Sequence, residues 1–105
     1  HGEVLTMASM RESIFTVMAL YNEQREKNPS FKKDLCEVQI RFKDGYASGK
    51  GKFSDFLHIV VDLLAGNMKR DLENIVIRIS GSQEFFRICG SNVSHYSCCA
   101  SHCAP

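Results

Sequence analysis

The spacing of apolar residues changes from a helical period to a strand period twice along the chain, and this order limits the folds that the chain can adopt. The first helical series comprises Met10, Ile14, Val17, Met18 and Tyr21. Ser9 and Glu12 precede most of it with the spacing of a capping box, and Pro29 disfavours helical geometry in the residue before it. The pattern therefore predicts a first helix over roughly residues 10–27.

A period of two follows this helix. Val38, Ile40 and Phe42 alternate with polar and charged residues, which is typical of a strand with one buried face. The Asp-Gly pair at 44–45 is a strong signal for a two-residue hairpin. The returning segment, 46–53, contains two glycines that carry no side chain to pack, so we expect it to be an edge strand or a loop.

A second helix and a second hairpin complete the pattern. Ser54 is predicted to cap the helix, and the Gly-Asn pair at 66–67 is predicted to end it. The buried stripe of this helix comprises Phe56, Ile59, Val60, Leu63 and Leu64. Isoleucines at alternate positions predict a strand over 74–80, and residues 84–89 return as its partner strand.

The resulting order, α-β-β-α-β-β, predicts an α+β fold in which two helices pack on a small, mainly antiparallel sheet. The length of 105 residues is that of a single domain. We expect the core to span residues 9–91, after a flexible N-terminal segment, 1–8, and before a Cys/His-rich tail, 92–105, that packs on the core as a knuckle.

The tail carries the densest chemistry in the sequence. Four of the five cysteines and two of the four histidines lie in residues 89–105. Structural zinc takes four thiolate or imidazole ligands, and short gaps let paired ligands converge from one turn. The sequence therefore predicts one structural Zn²⁺ ion, with candidate ligands Cys89, His95, Cys98, Cys99, His102 and Cys103. The favoured set is Cys89, His95, either Cys98 or Cys99, and Cys103, with His102 as a substitute.

Two other interpretations of the tail remain open. Disulfides would suit a secreted small protein that acts as an extracellular ligand, although five cysteines leave at least one thiol unpaired or paired between chains. A bridge within the adjacent pair at 98–99 would be strained. Alternatively, the cysteines are ordinary thiols in a flexible tail.

The middle of the chain is basic although the net charge is only +1. Residues 25–52 hold eight Lys and Arg residues against four acids. Lysines in a glycine-rich loop can approach a phosphate backbone, and an exposed tyrosine can stack on a base. The candidate nucleic-acid contacts are Lys32, Lys33, Arg41, Lys43, Tyr46, Lys50 and Lys52. The predicted partner is RNA or an acidic protein surface, and the alternative is a solvated sheet face with lysines that protect an edge strand.

The stretch CEVQIRFKDGYASGKGKFSDFLHIVVDLL, residues 36–64, resembles the strand–GKGK–helix end of double-stranded-RNA-binding domains. The resemblance covers less than a third of the chain. Ser54 and Asp55 stand where that family has a basic Lys-Lys pair, and a run of three strands before the helix is not evident, so we do not assign the chain to the family. In composition the chain is also similar to small viral cysteine-rich RNA-binding regulators and silencing suppressors.

No enzyme motif emerges from the sequence. The segment SGKGKFS lacks the spacing of a P-loop. His58 and Asp62 are four residues apart on the second predicted helix, which is more typical of a solvated helix face than of a catalytic pair. We therefore expect a non-enzymatic regulatory or binding module.

Location and assembly follow from weaker signals. The N-terminal residues lack the pattern of an export signal, so we expect an intracellular protein, cytoplasmic or nuclear. No apolar run reaches the length of about 18 residues that a membrane helix needs, so no membrane partner is expected. Val76 and Phe85 lie on the strand faces opposite Ile77 and Phe86, and two apolar faces on one hairpin would favour a homodimer.

The zinc hypothesis predicts about one zinc ion per chain by elemental analysis, and loss of folding in chelator. Cys103→Ser is expected to reduce the zinc content, because it removes a ligand of the favoured set. Cys36→Ala is the matched control, since Cys36 is predicted to be a buried apolar side chain. A metal-free preparation that is fully folded would contradict the hypothesis.

Overall fold

The computed structural model describes residues 7–67 and 69–97, with side chains from Ser9 onward. Its regular elements, in chain order, are α1 (Met7–Lys27), β1 (Leu35–Phe42), β2 (Gly45–Lys52), α2 (Phe56–Ala65), β3 (Leu72–Ile79), β4 (Glu84–Cys89) and β5 (Asn92–Ser97). Two short 3-10 segments, Pro29–Lys33 and Phe53–Asp55, connect α1 to β1 and β2 to α2.

The five strands form one antiparallel sheet in the order β2-β1-β3-β4-β5. The core joins residues of both helices to alternate residues of the central strands, so the helices share one face of the sheet. In this layer α2 contacts β2 and β1, and α1 contacts β5. The predicted α+β class, with two helices on an antiparallel sheet, is confirmed.

The element order predicted from sequence lacks one strand. Residues 92–97, assigned to the tail, form β5 along the free side of β4. The turn before it contains Gly90 at φ 63°, a left-handed conformation that glycine adopts without strain. The sequence pattern hid this strand because only Val93 is aliphatic, and the inward position at 95 is a histidine. The predicted knuckle therefore begins, at the earliest, with residues 98–105, which lie outside the described residues.

Both helix starts differ from the predicted ones. Helix α1 begins at Met7, so Ser9 lies inside the helix and the predicted capping box is wrong. Helix α2 follows the 3-10 turn Phe53–Asp55, and its cap residue, Asp55, makes no capping hydrogen bond with its side chain. Buried Phe53 and Phe56 fix the entry to this helix instead of a Ser54 cap.

The glycine-rich segment is a regular edge strand, β2, and not a flexible loop. Its glycines allow close packing of α2, because a Cβ atom at Gly51 would lie 2.9 Å from Ile59 Cδ1. The hairpin before it is confirmed, but its two loop residues are Lys43 and Asp44 and its first paired residue is Gly45. Arg70 Nε donates to Asp44 Oδ1 at 2.8 Å, which ties this turn to the segment before β3.

The buried face of α1 is narrower than predicted. Met10, Ile14, Val17 and Tyr21 are buried, but Met18 is 43% exposed. Met18 lies with exposed Phe15 in an apolar groove between the outer surfaces of the two helices.

Tyr21 connects α1 to both 3-10 segments. Its ring stacks on Phe53 at 3.7 Å between centroids and meets Phe31 edge-on at 5.1 Å. Its hydroxyl lies 3.0 Å from the Phe31 carbonyl oxygen and 3.1 Å from Asp34 Oδ1. Burial and the hydrogen bond to Asp34 hold the pKa of Tyr21 above its ordinary value. The phenol therefore stays protonated and acts as a donor.

We expect Tyr21→Phe to lower the free energy of unfolding by about 1–2 kcal/mol, because it removes a donor from buried acceptors while the ring packing remains. Urea unfolding monitored by circular dichroism measures the change. Tyr46→Phe is the matched control and should leave the stability unchanged, since Tyr46 is 61% exposed. Equal stability of Tyr21→Phe and the wild type would show that these hydrogen bonds contribute nothing.

Candidate nucleic-acid interface

The face of the sheet opposite the helices carries the second set of alternating side chains, and we call it the open face. Residues that pair across neighbouring strands lie on the same face, so the strand register identifies the side chains of the open face. One row runs through Lys50, Glu37, Arg78, Phe85 and Tyr96. The adjacent row runs through Ser48, Gln39, Val76, Arg87 and Ser94. Lys52, Tyr46, Arg41 and Asn74 extend the same face.

Cations dominate this face. Its positions in regular cross-strand register hold five of them, Arg41, Lys50, Lys52, Arg78 and Arg87, and one carboxylate, Glu37. Glu73 has no partner in this register, because it lies at the irregularity between Leu72 and Asn74. Glu37 has Lys50 and Arg78 as its neighbours on the two adjacent strands, and it pairs with Lys50 at 3.2 Å. The Lys50 side chain is 78% exposed, so this ion pair is screened and weak. The face therefore keeps a net positive charge.

Aromatic side chains lie among these cations. Tyr46 is exposed on edge strand β2, and Tyr96 is 42% exposed on edge strand β5. Tyr96 stacks on Phe85 with 5.0 Å between ring centroids. An exposed ring on a basic surface offers a stacking platform for a nucleic-acid base.

Two apolar residues of the open face, Val76 and Phe85, are covered by the chain itself, whereas Leu35, which pairs with Lys52 at the start of β1, is 44% exposed. The Arg78 guanidinium lies 5.1 Å from the centre of the Phe85 ring, and the Arg87 guanidinium lies 5.9 Å from that of Tyr96. Val76 and Phe85 are consequently buried, at 9% and 7% exposure. Residues of the same chain therefore cover the second apolar face of the β3–β4 hairpin, from which the sequence predicted a homodimer. A homodimer stays a prediction.

Two depressions cross the open face between the edge strands. A cleft of about 240 Å³ is lined by Gln39, Arg41, Asn74, Val76, Arg78 and Arg87. A second depression, of about 390 Å³, shares Gln39, Val76 and Arg78 with it and extends to Tyr46 and Lys50. Together they form a polar trough across β2, β1, β3 and β4.

The structure brings together four of the seven predicted nucleic-acid contacts. Arg41, Tyr46, Lys50 and Lys52 share the open face. Lys43 lies in the hairpin turn. Lys32 and Lys33 lie in the 3-10 segment that packs against α1 and precedes the sheet, so neither is a strand position of the open face.

Sequence reasoning missed Arg78, Arg87 and Tyr96. Arg78 alternates with the buried isoleucines of β3, and Arg87 lies between buried Phe86 and Ile88 of β4. That alternation was available in the sequence and places both arginines opposite the core. Tyr96 required β5, which the sequence pattern did not reveal.

The described candidate zinc ligands do not converge. Cys89 follows Phe85 and Arg87 on the open face by strand alternation, whereas His95 lies on the helix side, stacked on Phe86 at 4.9 Å. His95 Nε2 lies 2.7 Å from Glu84 Oε1, and Ser97 Oγ donates to Glu84 Oε2 at 2.7 Å. Within residues 7–67 and 69–97, no three side chains of ligand type form a metal-binding group.

The other four candidate ligands, Cys98, Cys99, His102 and Cys103, lie outside the described residues. Zinc binding therefore stays a prediction, as do disulfides. Cys36 and Cys89 are both free thiols. His58 and Asp62 are exposed on α2 and form no ion pair with each other.

No family model matches the chain, and neither a curated protein nor a solved structure does so. The resemblance of residues 36–64 to double-stranded-RNA-binding domains thus gains no support, and from Met7 onward only two strands precede α2. Neither helix in the described part of the chain has the length and apolar character needed to span a membrane.

The two described cysteines should differ in reactivity. Burial, aided by Asp34 and Glu37, raises the pKa of the Cys36 thiol to about 11, so near pH 8 only about one molecule in a thousand carries its thiolate. We expect iodoacetamide to modify exposed Cys89 in the folded protein and to leave Cys36 unmodified. Peptide mass spectrometry reads both sites, and the same reaction in concentrated urea is the control. Equal rates at the two sites in the folded protein would contradict the burial of Cys36.

Proposed function

We propose that this protein is a non-enzymatic module that binds single-stranded RNA on the open face of its sheet. The observation that carries the proposal is the combination of five cations with two exposed tyrosines on one face, whose positions in regular cross-strand register hold one carboxylate, Glu37. Cations that neutralise phosphates supply affinity through counterion release. Exposed rings add stacking that every base can use.

The form of the surface favours a single strand over a duplex. Sheet faces that carry aromatic side chains bind unstacked bases, whereas duplex recognition depends mainly on backbone shape. Here Tyr46 and Tyr96 lie on opposite edge strands, β2 and β5. Four strand spacings of about 4.8 Å separate those strands, which gives about 19 Å for a chain lying across the sheet.

Polar side chains between the tyrosines support RNA as the ligand. Gln39 and Asn74 line the cleft, and Ser48 lines the neighbouring depression. Their amide and hydroxyl groups are donors and acceptors that suit a 2′-hydroxyl, the group by which proteins distinguish RNA from DNA. An acidic protein would use the cations but has no base to place on the tyrosines.

The zinc prediction is separate from this proposal. A zinc ion held by the tail would stabilise the small core, because it would bind the folded state alone. The RNA surface uses none of the candidate zinc ligands except Cys89, which lies at the end of β4. The two proposals can therefore fail independently.

Fluorescence anisotropy with a short single-stranded RNA tests the proposed function. We expect the affinity to fall steeply with added salt, with a log–log slope of about −0.7 for each phosphate neutralised. Tyr46→Leu should weaken binding about tenfold, because loss of one base-stacking contact costs about 1–3 kcal/mol. Lys50→Gln should weaken binding less and reduce the salt slope.

The matched control for Lys50→Gln is Lys27→Gln, which removes an exposed lysine from the end of α1 on the other side of the sheet. The reverse change, Glu37→Gln, should strengthen binding, because it removes a carboxylate that pairs with Lys50 on the open face. Polyglutamate serves as the acidic-protein probe. Tighter binding of polyglutamate than of RNA, or equal affinities of the Lys50 and Lys27 variants, would refute the proposal.

A further inference from the structure

Three arginines converge on the cleft in the open face. Arg41, Arg78 and Arg87 come from β1, β3 and β4, and they line a cavity of about 240 Å³ together with Gln39 and Asn74. Val76, buried at 9% exposure, also contributes to its lining. Adjacent strands and a fixed register hold these side chains at one spot, because Gln39 pairs with Val76 and Val76 pairs with Arg87.

The charge in this cleft is uncompensated. No carboxylate lines it, and none of the described carboxylates lies within salt-bridge distance of Arg41, Arg78 or Arg87. Glu37, the cross-strand neighbour of Arg78, pairs with Lys50 instead. The Nε atom of Arg87 is buried and has no hydrogen-bond partner. A buried donor without a partner carries a desolvation cost that a ligand oxygen would relieve.

Phosphate is the ligand chemistry that fits this cleft. Guanidinium groups present forked donors that match phosphate oxygens, and several of them together bind an anion more tightly than point charges do. The amides of Gln39 and Asn74 provide further donors.

We propose that the arginine cleft is a phosphate-binding site, and that in the RNA complex it holds an internal phosphodiester. The assignment to an internal phosphate rests on the proposed function. It follows from the position of the cleft between Tyr46 and Tyr96, which lie on the two edge strands, so an RNA that reaches both rings crosses the cleft with its backbone.

Inorganic phosphate tests the site without RNA. Arginine Nε–H resonances in a ¹H–¹⁵N spectrum report the occupancy of each guanidinium. We expect the Arg87 signal to shift saturably with millimolar phosphate, and not with chloride at the same ionic strength. Arg70 is the internal control, because its Nε already donates to Asp44 at 2.8 Å and lies outside the cleft. Equal shifts at Arg70 and Arg87, or no shift at either, would overturn the site.

Arg87→Lys tests the same site in the RNA complex. The substitution keeps the positive charge and removes the forked donors of the guanidinium. We therefore expect about tenfold weaker RNA binding, and an unchanged salt slope because the charge is retained. Arg25→Lys on α1 is the matched control and should bind like the wild type. Arg41→Lys, at an exposed position of the same cleft, should reproduce the loss if Arg87→Lys proves unstable.

The outcomes separate this inference from the proposed function. If RNA binds and Tyr46→Leu weakens it, while Arg87→Lys and Arg41→Lys bind like the wild type, the cleft is refuted and the RNA surface stands. If phosphate shifts the Arg87 Nε–H signal and no RNA binds, the phosphate site is supported and the RNA function is refuted. RNAs with a 5′-phosphate and a 5′-hydroxyl should bind equally, and a strong preference for the 5′-phosphate would overturn the internal assignment.

Discussion

The two-residue alternation of the central strands determines both the core and the exposed chemistry of this protein. Isoleucines at 75, 77 and 79 of β3 are buried against the helices, and their register with β1 and β4 commits every intervening residue to the other face. A slip of one residue would exchange the two faces. Burial of these side chains therefore places Arg78 on the open face. In the same way, burial of Phe86 and Ile88 in β4 places Arg87 on that face.

The helices leave the second face uncovered. They contact the helix side of the sheet at its two ends, α2 over β2 and β1 and α1 over β5, and an aromatic cluster of Tyr21, Phe31, Phe53 and Phe56 joins them to the connecting segments. On the open face, the Arg78 guanidinium covers the Phe85 ring, and the Arg87 guanidinium lies 5.9 Å from the centre of the Tyr96 ring, which stays 42% exposed. The result is a surface that buries Val76 and Phe85, leaves Leu35 exposed at the start of β1, and presents charge and rings to a ligand.

Strong periodicity explains what the sequence predicted. The helix and strand signals located α1, β1, α2, β3 and β4, because each carries several apolar residues at its own period. Strand β5 was not predicted, because two of its three inward positions are polar: these positions are Val93, His95 and Ser97. The predicted start of α2 was wrong because buried Phe53 and Phe56, whose burial depends on tertiary contacts, define this start in place of the local Ser54 cap. Four of the seven cations and tyrosines of the interface were predicted from the basic middle of the sequence, namely Arg41, Tyr46, Lys50 and Lys52. The convergence of the arginines on one cleft required cross-strand register, which local patterns do not supply.

The three tyrosines of the chain provide the most direct test of the RNA surface. Tyr21 is buried in the core, and Tyr46 and Tyr96 are exposed on the open face. With ¹³C-labelled tyrosine, NMR follows all three rings during titration with single-stranded RNA. The account predicts upfield shifts of the Tyr46 and Tyr96 ring signals, from stacked bases, and no change at Tyr21. Bound RNA that leaves the Tyr46 and Tyr96 signals unmoved would contradict it.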